Sequence, residues 1–167
     1  MDLHEALKLL HASKEYKTFS KASKGFLAHA FVMVEKGAEE WQIGYFCADE
    51  DRMYSFIIGK KIEALPPAEV LKADVTIHEL HPADVKITPA EALDIAEQTR
   101  KKHYSADLPI KVFYLIQHLP EGAVYNITYV TQRFTTMNIK ILAKDGTVHK
   151  HSNEPLIAFD KGGPSTK

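Results

Sequence analysis

The chain has 167 residues, of which 45% are hydrophobic and 26% are charged, with a formal net charge of -1 and a sequence pI near 6.8. This composition is that of a globular protein and excludes a disordered chain, and the near-neutral charge argues against a nucleic-acid partner or an anionic membrane surface. The single cysteine, Cys47, excludes an intramolecular disulfide and a cysteine-based zinc cluster.

Two segments carry the signals of amphipathic helices. Asp2 is placed to cap a helix whose third residue is Glu5, and leucines then recur at helical spacing. Thr88-Pro89-Ala90-Glu91 has the spelling of a capping box with proline at the first helical position. These patterns predict helices at about 2–13, continuing toward 22, and at about 89–103.

Strand signals follow each predicted helix. The segments are rich in β-branched and aromatic residues and are separated by glycine or charged turns. Between the two groups, Pro66-Pro67 interrupts regular structure, one helical turn is expected at 68–72, and a short strand is expected at 75–77. The predicted main strands are 26–34, 41–47, 53–58, 110–117, 125–132 and 136–142, with a further strand from Val148 after the Asp145-Gly146 turn.

The two halves of the chain resemble each other. Trp41, Ile43, Tyr45 and Met53 recur as Tyr125, Ile127, Tyr129 and Met137 at a constant offset of ~84, and Glu-Ala-Leu recurs in both helices at ~86. The order helix, strand, strand, strand therefore occurs twice. We predict an internal duplication.

The second half is similar to a known module. "ITPAEALDIA", a strand, "VYNITYV" and "MNIKILAKDGTVHK" together resemble a PepSY domain over about Ile87–Lys150. The resemblance implies a helix packed on a small antiparallel sheet of cystatin-like type that ends in an Asp-Gly turn. The first half shares this layout but has Ile58-Gly59-Lys60 in place of the Asp-Gly signature.

Several residues could carry chemistry. His78 with His81, and His149 with His151, have the spacing of metal-ligand pairs, but neither pair has a third ligand nearby in sequence, so no metal or other cofactor is expected. Cys47 is expected to be a small packed residue. The lysines at 14, 17, 21 and 24 are expected to form a solvated face rather than a patch for phosphate or acidic peptide.

The sequence thus predicts an α+β protein with two tandem repeats, each a helix on a sheet of three or four strands. The predicted division is 1–63 for the first repeat, 64–87 for a proline-containing junction, 88–160 for the PepSY-like repeat and 161–167 for a flexible tail. The aromatic residues Trp41, Tyr45, Tyr125 and Tyr129 exceed what one small sheet face can cover. We therefore expect them to pack between the units or between two chains, as candidate binding residues in a homodimer.

Two classes of function remain open at this stage. The favoured class is a non-catalytic module that engages a peptide or protein partner through a sheet face or edge. The alternative is a small-ligand or enzymatic pocket enclosed between helix and curved sheet. The start Met-Asp-Leu-His-Glu lacks the features of a signal peptide, and no apolar stretch reaches the ~20 residues of a membrane span, so a cytoplasmic protein without a membrane partner is expected.

Overall fold

A computed structural model describes residues 1–35, 37, 39–70 and 76–156 and has the α+β architecture predicted from the sequence. The helices α1, α2 and α3 span Leu3–Ala12, Lys14–Ala22 and Pro89–His103, and a short 3-10 turn lies at Pro82–Asp84. The strands β1 to β9 are Phe26–Met33, Trp41–Cys47, Arg52–Ile58, Ile62–Ala64, Ala68–Glu69, Pro109–Leu119, Gly122–Thr131, Thr135–Leu142 and Val148–Pro155.

Both predicted capping boxes are present. The Asp2 side chain accepts from the Glu5 amide and the Glu5 side chain accepts from the Asp2 amide, each at 2.9 Å. At α3, the Thr88 hydroxyl accepts from the Glu91 amide at 3.2 Å while the Glu91 carboxylate accepts from the Thr88 amide at 2.7 Å. These reciprocal bonds satisfy amides that the first helical turn leaves free, so they determine where both helices begin.

The predicted continuation of the first helix toward residue 22 is wrong at Ser13. Ser13 has extended backbone (φ -73, ψ 156), which ends α1, and its hydroxyl accepts from the Tyr16 amide at 3.2 Å, which starts α2. A serine at this point can cap a new helix, and that local bond competes with continuation of the first.

The strands form one continuous antiparallel sheet in the order β4-β3-β2-β1-β6-β7-β8-β9, with β5 also paired to β3. The sheet predicted for each repeat is therefore one half of a larger sheet that continues through the whole described fold. The halves join where His29–Met33 of β1 pairs with Phe113–Gln117 of β6. Each of these strands would otherwise present an unpaired edge, and pairing within the chain removes both edges.

Each half contributes helical residues followed by strands that pair in chain order. The strand order is mirrored about the β1–β6 pair, and Trp41–Tyr45 on β2 occupies the same place in its half as Tyr125–Tyr129 on β7. The Asp-Gly turn joins β8 to β9 as predicted, with Gly146 at φ +81 and the Asp145 carboxylate accepting from the Thr147 amide at 3.0 Å.

The helices all pack on one face of the sheet, and a single hydrophobic core lies between them. Leu3, Leu7 and Leu10 of α1 and Ala92 and Ala96 of α3 belong to the same buried cluster as the inward residues of the strands. Those strand residues include Ala30, Val32, Trp41, Ile43, Tyr45, Phe56, Ile58, Tyr114, Ile116, Tyr125, Ile127, Tyr129, Met137, Ile139 and Ile141. Their strict alternation leaves the residues between them on the opposite face.

The junction between the halves departs from its predicted structure. Ala68–Glu69 pairs with β3 as a strand rather than forming a helical turn, and Thr76 and Ile77 lie in no strand. Residues 71–75 and the predicted tail 161–167 lie outside the described residues. Farther along, the Leu80 amide donates to the Leu27 carbonyl at 2.8 Å, which anchors the junction beside β1. None of the described helices is both long and apolar enough to cross a bilayer.

Candidate functional site

The sheet face opposite the helices, here called the open face, carries an apolar strip across its central strands. The members of the strip are half-buried and belong to β1, β2, β3 and β6. They are Phe26, Phe31, Met33, Phe46, Met53, Ile57, Phe113 and Leu115. Strand register brings them together, because Phe46 pairs with both Met53 and Phe26, while Phe31 pairs with Leu115.

Aromatic contacts hold two parts of the strip in fixed geometry. Phe26 and Phe46 meet edge to face with ring centroids 5.7 Å apart, and Phe31 and Phe113 lie 5.7 Å apart across the β1–β6 pair that joins the halves. Such pairs restrict the rotation of each ring. The strip is therefore a pre-formed apolar surface that spans both halves of the chain.

The strip contains little charge. His29 is its titratable neighbour on β1, and burial lowers the pKa of this imidazole, which favours the neutral form. Its ring lies against Gly44, where an added Cβ would come within 2.4 Å of His29 Cε1. Glycine at position 44 thus leaves the space in which a neutral histidine lies flat on the sheet.

The open face becomes polar toward β8 and β9. On β7 and β8, the Asn138 amide donates to the Thr128 hydroxyl at 3.1 Å, and the buried Oδ1 of Asn126 has no partner among the described atoms. Lys140 and Lys150 pair across β8 and β9 beyond them. The open face is therefore apolar along β1, β2, β3 and β6 and more polar along β7, β8 and β9, where Val124, Val130 and Leu142 are its apolar members.

The four residues predicted for binding lie on the other face, under the helices. Trp41, Tyr45, Tyr125 and Tyr129 are at most 5% exposed. Trp41 of the first half contacts Tyr114 of the second half, and Tyr114 contacts Tyr125, so the Trp41 ring packs where the two halves meet. In this structure they form core rather than an accessible surface.

The hydroxyl groups of these buried tyrosines differ in their partners. Tyr45 Oη lies 2.7 Å from His11 Nε2, and Tyr125 Oη donates to the Ile87 carbonyl at 2.9 Å. Tyr114 Oη and Trp41 Nε1 are buried without a hydrogen-bond partner among the described residues. Burial raises the pKa of Tyr129 to about 12 and raises the pKa values of the other three tyrosines further, so all four stay protonated at neutral pH.

The sequences of β1 and β6 already indicate an apolar open face, which the prediction from alternating aromatic residues did not include. "FLAHAFVM" in β1 and "VFYLI" in β6 are apolar at both odd and even positions. A strand of this kind is apolar on both faces, which is typical of strands covered on both sides. Only one side of these strands is covered by the helices.

The two histidine pairs identified in the sequence have different surroundings. His78 lies beside His118 with ring centroids 5.8 Å apart, and His81 lies 3.8 Å from a Glu79 carboxylate oxygen. His149 and His151 are separated by an irregularity in the β8–β9 pairing. Among the described residues, no group of three or more histidine, cysteine, aspartate or glutamate side chains is arranged to hold a metal ion.

The remaining candidates of the sequence analysis also have defined surroundings. Cys47 is buried, and both burial and the nearby Glu50 and Asp49 raise the pKa of its thiol, which disfavours the nucleophilic thiolate. The lysines 14, 17, 21 and 24 are exposed on and just after α2.

A second feature is a cleft of about 530 Å³ between α3 and β9, here called the edge cleft. Tyr104 Oη lies 2.7 Å from His151 Nδ1 at this site, and the His103 ring stacks on His151 at 4.4 Å. His149 Nε2 lies 3.6 Å from a Glu121 oxygen. The lining residues are Ile95, Gln98, Thr99, Lys102, His103, Val148, His149, Lys150 and His151.

Comparison with known proteins identifies a similarity of fold. No family model and no curated protein sequence matches the chain. The crystal structure of a candidate lipoprotein from Clostridium difficile 630 is similar with a TM-score of 0.60 and 17% sequence identity, over 92% of this chain and 93% of that one. At this identity the similarity concerns the fold alone, and it extends over nearly the full length of both chains.

Proposed function

We propose that this chain is a non-catalytic interaction module whose open face binds a partner protein through the apolar strip. The observation that carries the proposal is the position of the strip: half-buried aromatic and aliphatic side chains lie on the sheet face opposite the helices. Contiguous apolar patches on a protein surface mark interaction sites more often than chance, and aromatic residues at the centre of such patches contribute most of the binding free energy.

The alternative, a ligand or enzymatic pocket enclosed between helices and sheet, has less support. The space between these layers is filled by fully buried side chains such as Trp41, Tyr125 and Ile127. The buried tyrosines retain their protons, and the surroundings of Cys47 disfavour its thiolate. A filled core with an apolar strip on the outside favours an interaction module.

The strip also indicates the chemistry of the partner. Its neighbours on the same face include the neutral Gln42, Ser55 and Gln117, the charged Glu63 and Lys111 lie at its margins, and the strip itself contains no lysine or arginine for a phosphate backbone. We therefore propose a protein partner with an apolar surface. A second copy of this chain, packed face to face as sheets do at ~10 Å, would be one such partner and would give the predicted homodimer.

We further propose that the two halves arose by duplication of a PepSY-like unit. The constant sequence offsets, the mirrored strand order and the helix-then-strands order of each half support this proposal. An experimental structure in which residues 2–59 superpose on 88–146, helix on helix and hairpin on hairpin, is the expected result. Different strand connectivity in the two halves would contradict it.

A cytoplasmic location is part of the proposal and rests on the sequence. The structural neighbour is described as a lipoprotein, but 17% identity transfers the fold alone. Fractionation of cells that express the tagged full-length chain decides the location. Recovery in the membrane fraction would contradict the proposal.

The interaction is tested with the double variant Phe31→Glu/Phe113→Glu, which places charge at the centre of the strip. The matched control is Thr136→Glu/Ser152→Glu, which adds the same two negative charges at half-buried positions on β8 and β9 of the same face, outside the strip. Circular dichroism and thermal melts first establish that both variants fold. Sedimentation velocity of the wild-type chain and both variants then measures self-association.

Partner binding is measured with purified components. Proteins captured from a lysate are expressed separately and titrated by calorimetry against the wild-type chain and the two variants. We expect a negative heat-capacity change, and loss of about tenfold or more in affinity for the strip variant but not for the control, since a central aromatic anchor contributes about 2 kcal/mol or more. A wild-type dimer that the strip variant converts to monomer would identify the partner as a second copy. Unchanged binding by the strip variant would refute the proposal.

A further inference from the structure

The outer strand β9 is an open edge of the sheet. It pairs with β8 on one side, and no described residue pairs with its other side. The opposite edge is different, because β4 and β5 have only three and two residues and Pro66-Pro67 lies between them. Short strands and prolines prevent strand addition, so the eight-residue β9 is the edge that can accept another strand.

The hydrogen bonds beside β9 show which of its main-chain groups point outward. The Leu156 amide donates to the Phe134 carbonyl at 2.8 Å. Hydrogen-bonded and non-hydrogen-bonded pairs alternate along an antiparallel ladder, so the even-numbered residues in the regular part of β9 bond to β8. The amide and carbonyl groups of His151 and Asn153 therefore point away from β8, toward the open edge.

The side chains between these outward groups carry opposite charges. Lys150, Ser152 and Glu154 pair with residues of β8 that lie on the open face, so they lie on that face too. Lys150 and Glu154 are exposed and form no ion pair with any described residue. Lys150 also lies opposite Lys140, a like-charge pair that an added carboxylate would stabilise. The edge therefore presents a lysine and a glutamate at equal distances on either side of a neutral serine.

This arrangement is self-complementary in one antiparallel register. A two-fold axis at Ser152 places Lys150 of each copy opposite Glu154 of the other copy. The same register places His151 opposite Asn153, so their outward main-chain groups bond to each other in both directions. A shift of the axis by one residue removes both ion pairs, and a shift by two residues places like charges opposite each other.

The geometry points to a second copy of this chain as the occupant of the edge: we propose that two chains pair β9 to β9 about this axis and continue the sheet across a dimer. The Lys150–Glu154 pairs then lie at non-hydrogen-bonded positions, where facing side chains are closest. This surface is separate from the apolar strip. The axis passes through the sheet, so both strips stay uncovered on the same side of the dimer.

The helices leave room for this pairing. Helix α3 packs on β7 and β8, and the edge cleft lies between it and β9. About four strand spacings of ~4.8 Å would separate α3 from its copy, which amounts to roughly 20 Å, whereas packed helices lie about 8–10 Å apart. A second sheet therefore reaches β9 without a clash between the two α3 helices.

Sedimentation velocity over a concentration series tests the dimer with charge variants. Lys150→Glu and Glu154→Lys each place like charges opposite each other at two contacts, so each should weaken self-association about tenfold or more. An equimolar mixture of these two variants has opposite charges at both contacts and should form a heterodimer with about the wild-type affinity. Lys17→Glu, exposed on the distant helix α2, makes the same change in net charge as Lys150→Glu and should associate like the wild-type chain.

Amide hydrogen exchange read by NMR distinguishes strand pairing from contact elsewhere. The amides of Ser152 and Glu154 bond to β8 within each chain, so they should be protected at every concentration. The amides of His151 and Asn153 should become protected only in the dimer. Exchange of these two amides that stays fast in the dimer would overturn the proposal. So would equal self-association of Lys150→Glu and the wild-type chain, or a wild-type chain that stays monomeric throughout the series.

The strip variants separate this dimer from a face-to-face one. Phe31→Glu/Phe113→Glu leaves β9 unchanged and should keep the edge dimer. Thr136→Glu/Ser152→Glu places a glutamate of each copy opposite the other at the axis and should weaken the edge dimer about tenfold. A dimer held by the strip would respond in the opposite way, which would overturn the edge pairing. Failure of one proposal therefore leaves the other intact.

Discussion

The two buried hydroxyls of Tyr114 and Tyr125 provide a matched test of the core. Both tyrosines are at most 1% exposed and their rings lie 5.9 Å apart, so Tyr→Phe removes the same atom from nearly the same surroundings. Tyr125 Oη donates to the Ile87 carbonyl at 2.9 Å, whereas Tyr114 Oη has no partner among the described residues. This substitution should therefore lower stability when made at Tyr125 but not when made at Tyr114.

The expected magnitudes follow from the cost of burying a hydroxyl. Tyr125→Phe removes one hydrogen bond and leaves the Ile87 carbonyl unsatisfied, so the free energy of unfolding should fall by about 1–3 kcal/mol. Tyr114→Phe removes a hydroxyl that is desolvated without a compensating bond, so the free energy of unfolding should stay unchanged or rise by about 1–2 kcal/mol.

Urea melts followed by far-UV circular dichroism measure both effects. The slope of the free energy against urea concentration should be the same for both variants, because neither changes the surface exposed on unfolding. If Tyr114→Phe destabilises the protein as much as Tyr125→Phe, the Tyr114 hydroxyl has a hydrogen-bond partner, such as a buried water, and the reasoning is refuted.

Three further predictions concern the faces of the sheet, the helix caps and the buried tyrosines. Ile127→Ala should lower the free energy of unfolding by about 2–5 kcal/mol, whereas Thr128→Ala on the open face should lower it by only about 1 kcal/mol. Equal losses in urea melts would mean that both faces of the sheet are buried. Thr88→Ala removes the N-cap of α3 and should lower the stability measured in a thermal melt by about 1 kcal/mol. Thr18→Ala, at an exposed position on α2, should lower it by less than about 0.5 kcal/mol. Similar losses for the two variants would contradict the role of Thr88 as a cap. Burial raises the pKa of Tyr129 to about 12 and raises the pKa values of the other buried tyrosines further, so the unfolded state releases these protons at lower pH than the folded state. The free energy of unfolding should therefore be full below pH ~10 and fall as the pH rises above that value. A melting temperature that stays constant up to pH ~11 would contradict this prediction.

Features that depend on a few neighbouring residues could be predicted from the sequence. The capping boxes at Asp2 and Thr88 and the Asp145-Gly146 turn each satisfy their own hydrogen bonds, so the local sequence specifies them. Alternation along β2 and β7 likewise identified the buried residues, because polar or small residues occupy enough of the intervening positions to distinguish the faces. The same reasoning located the strands to within a few residues.

Contacts between distant segments decided the rest. The pairing of His29–Met33 with Phe113–Gln117 merges two predicted sheets into one, and nothing local to either strand selects that neighbour. In β1 and β6 the odd-numbered and the even-numbered side chains are both apolar, so periodicity alone does not say which of the two groups the helices cover. The packing of α1 and α3 on one side of the sheet leaves Phe31 and Phe113 on the other side. The edge cleft has the same origin, because the side chains of α3 and β9 that line it are more than forty residues apart in sequence and meet only when the sheet is assembled beneath the helix.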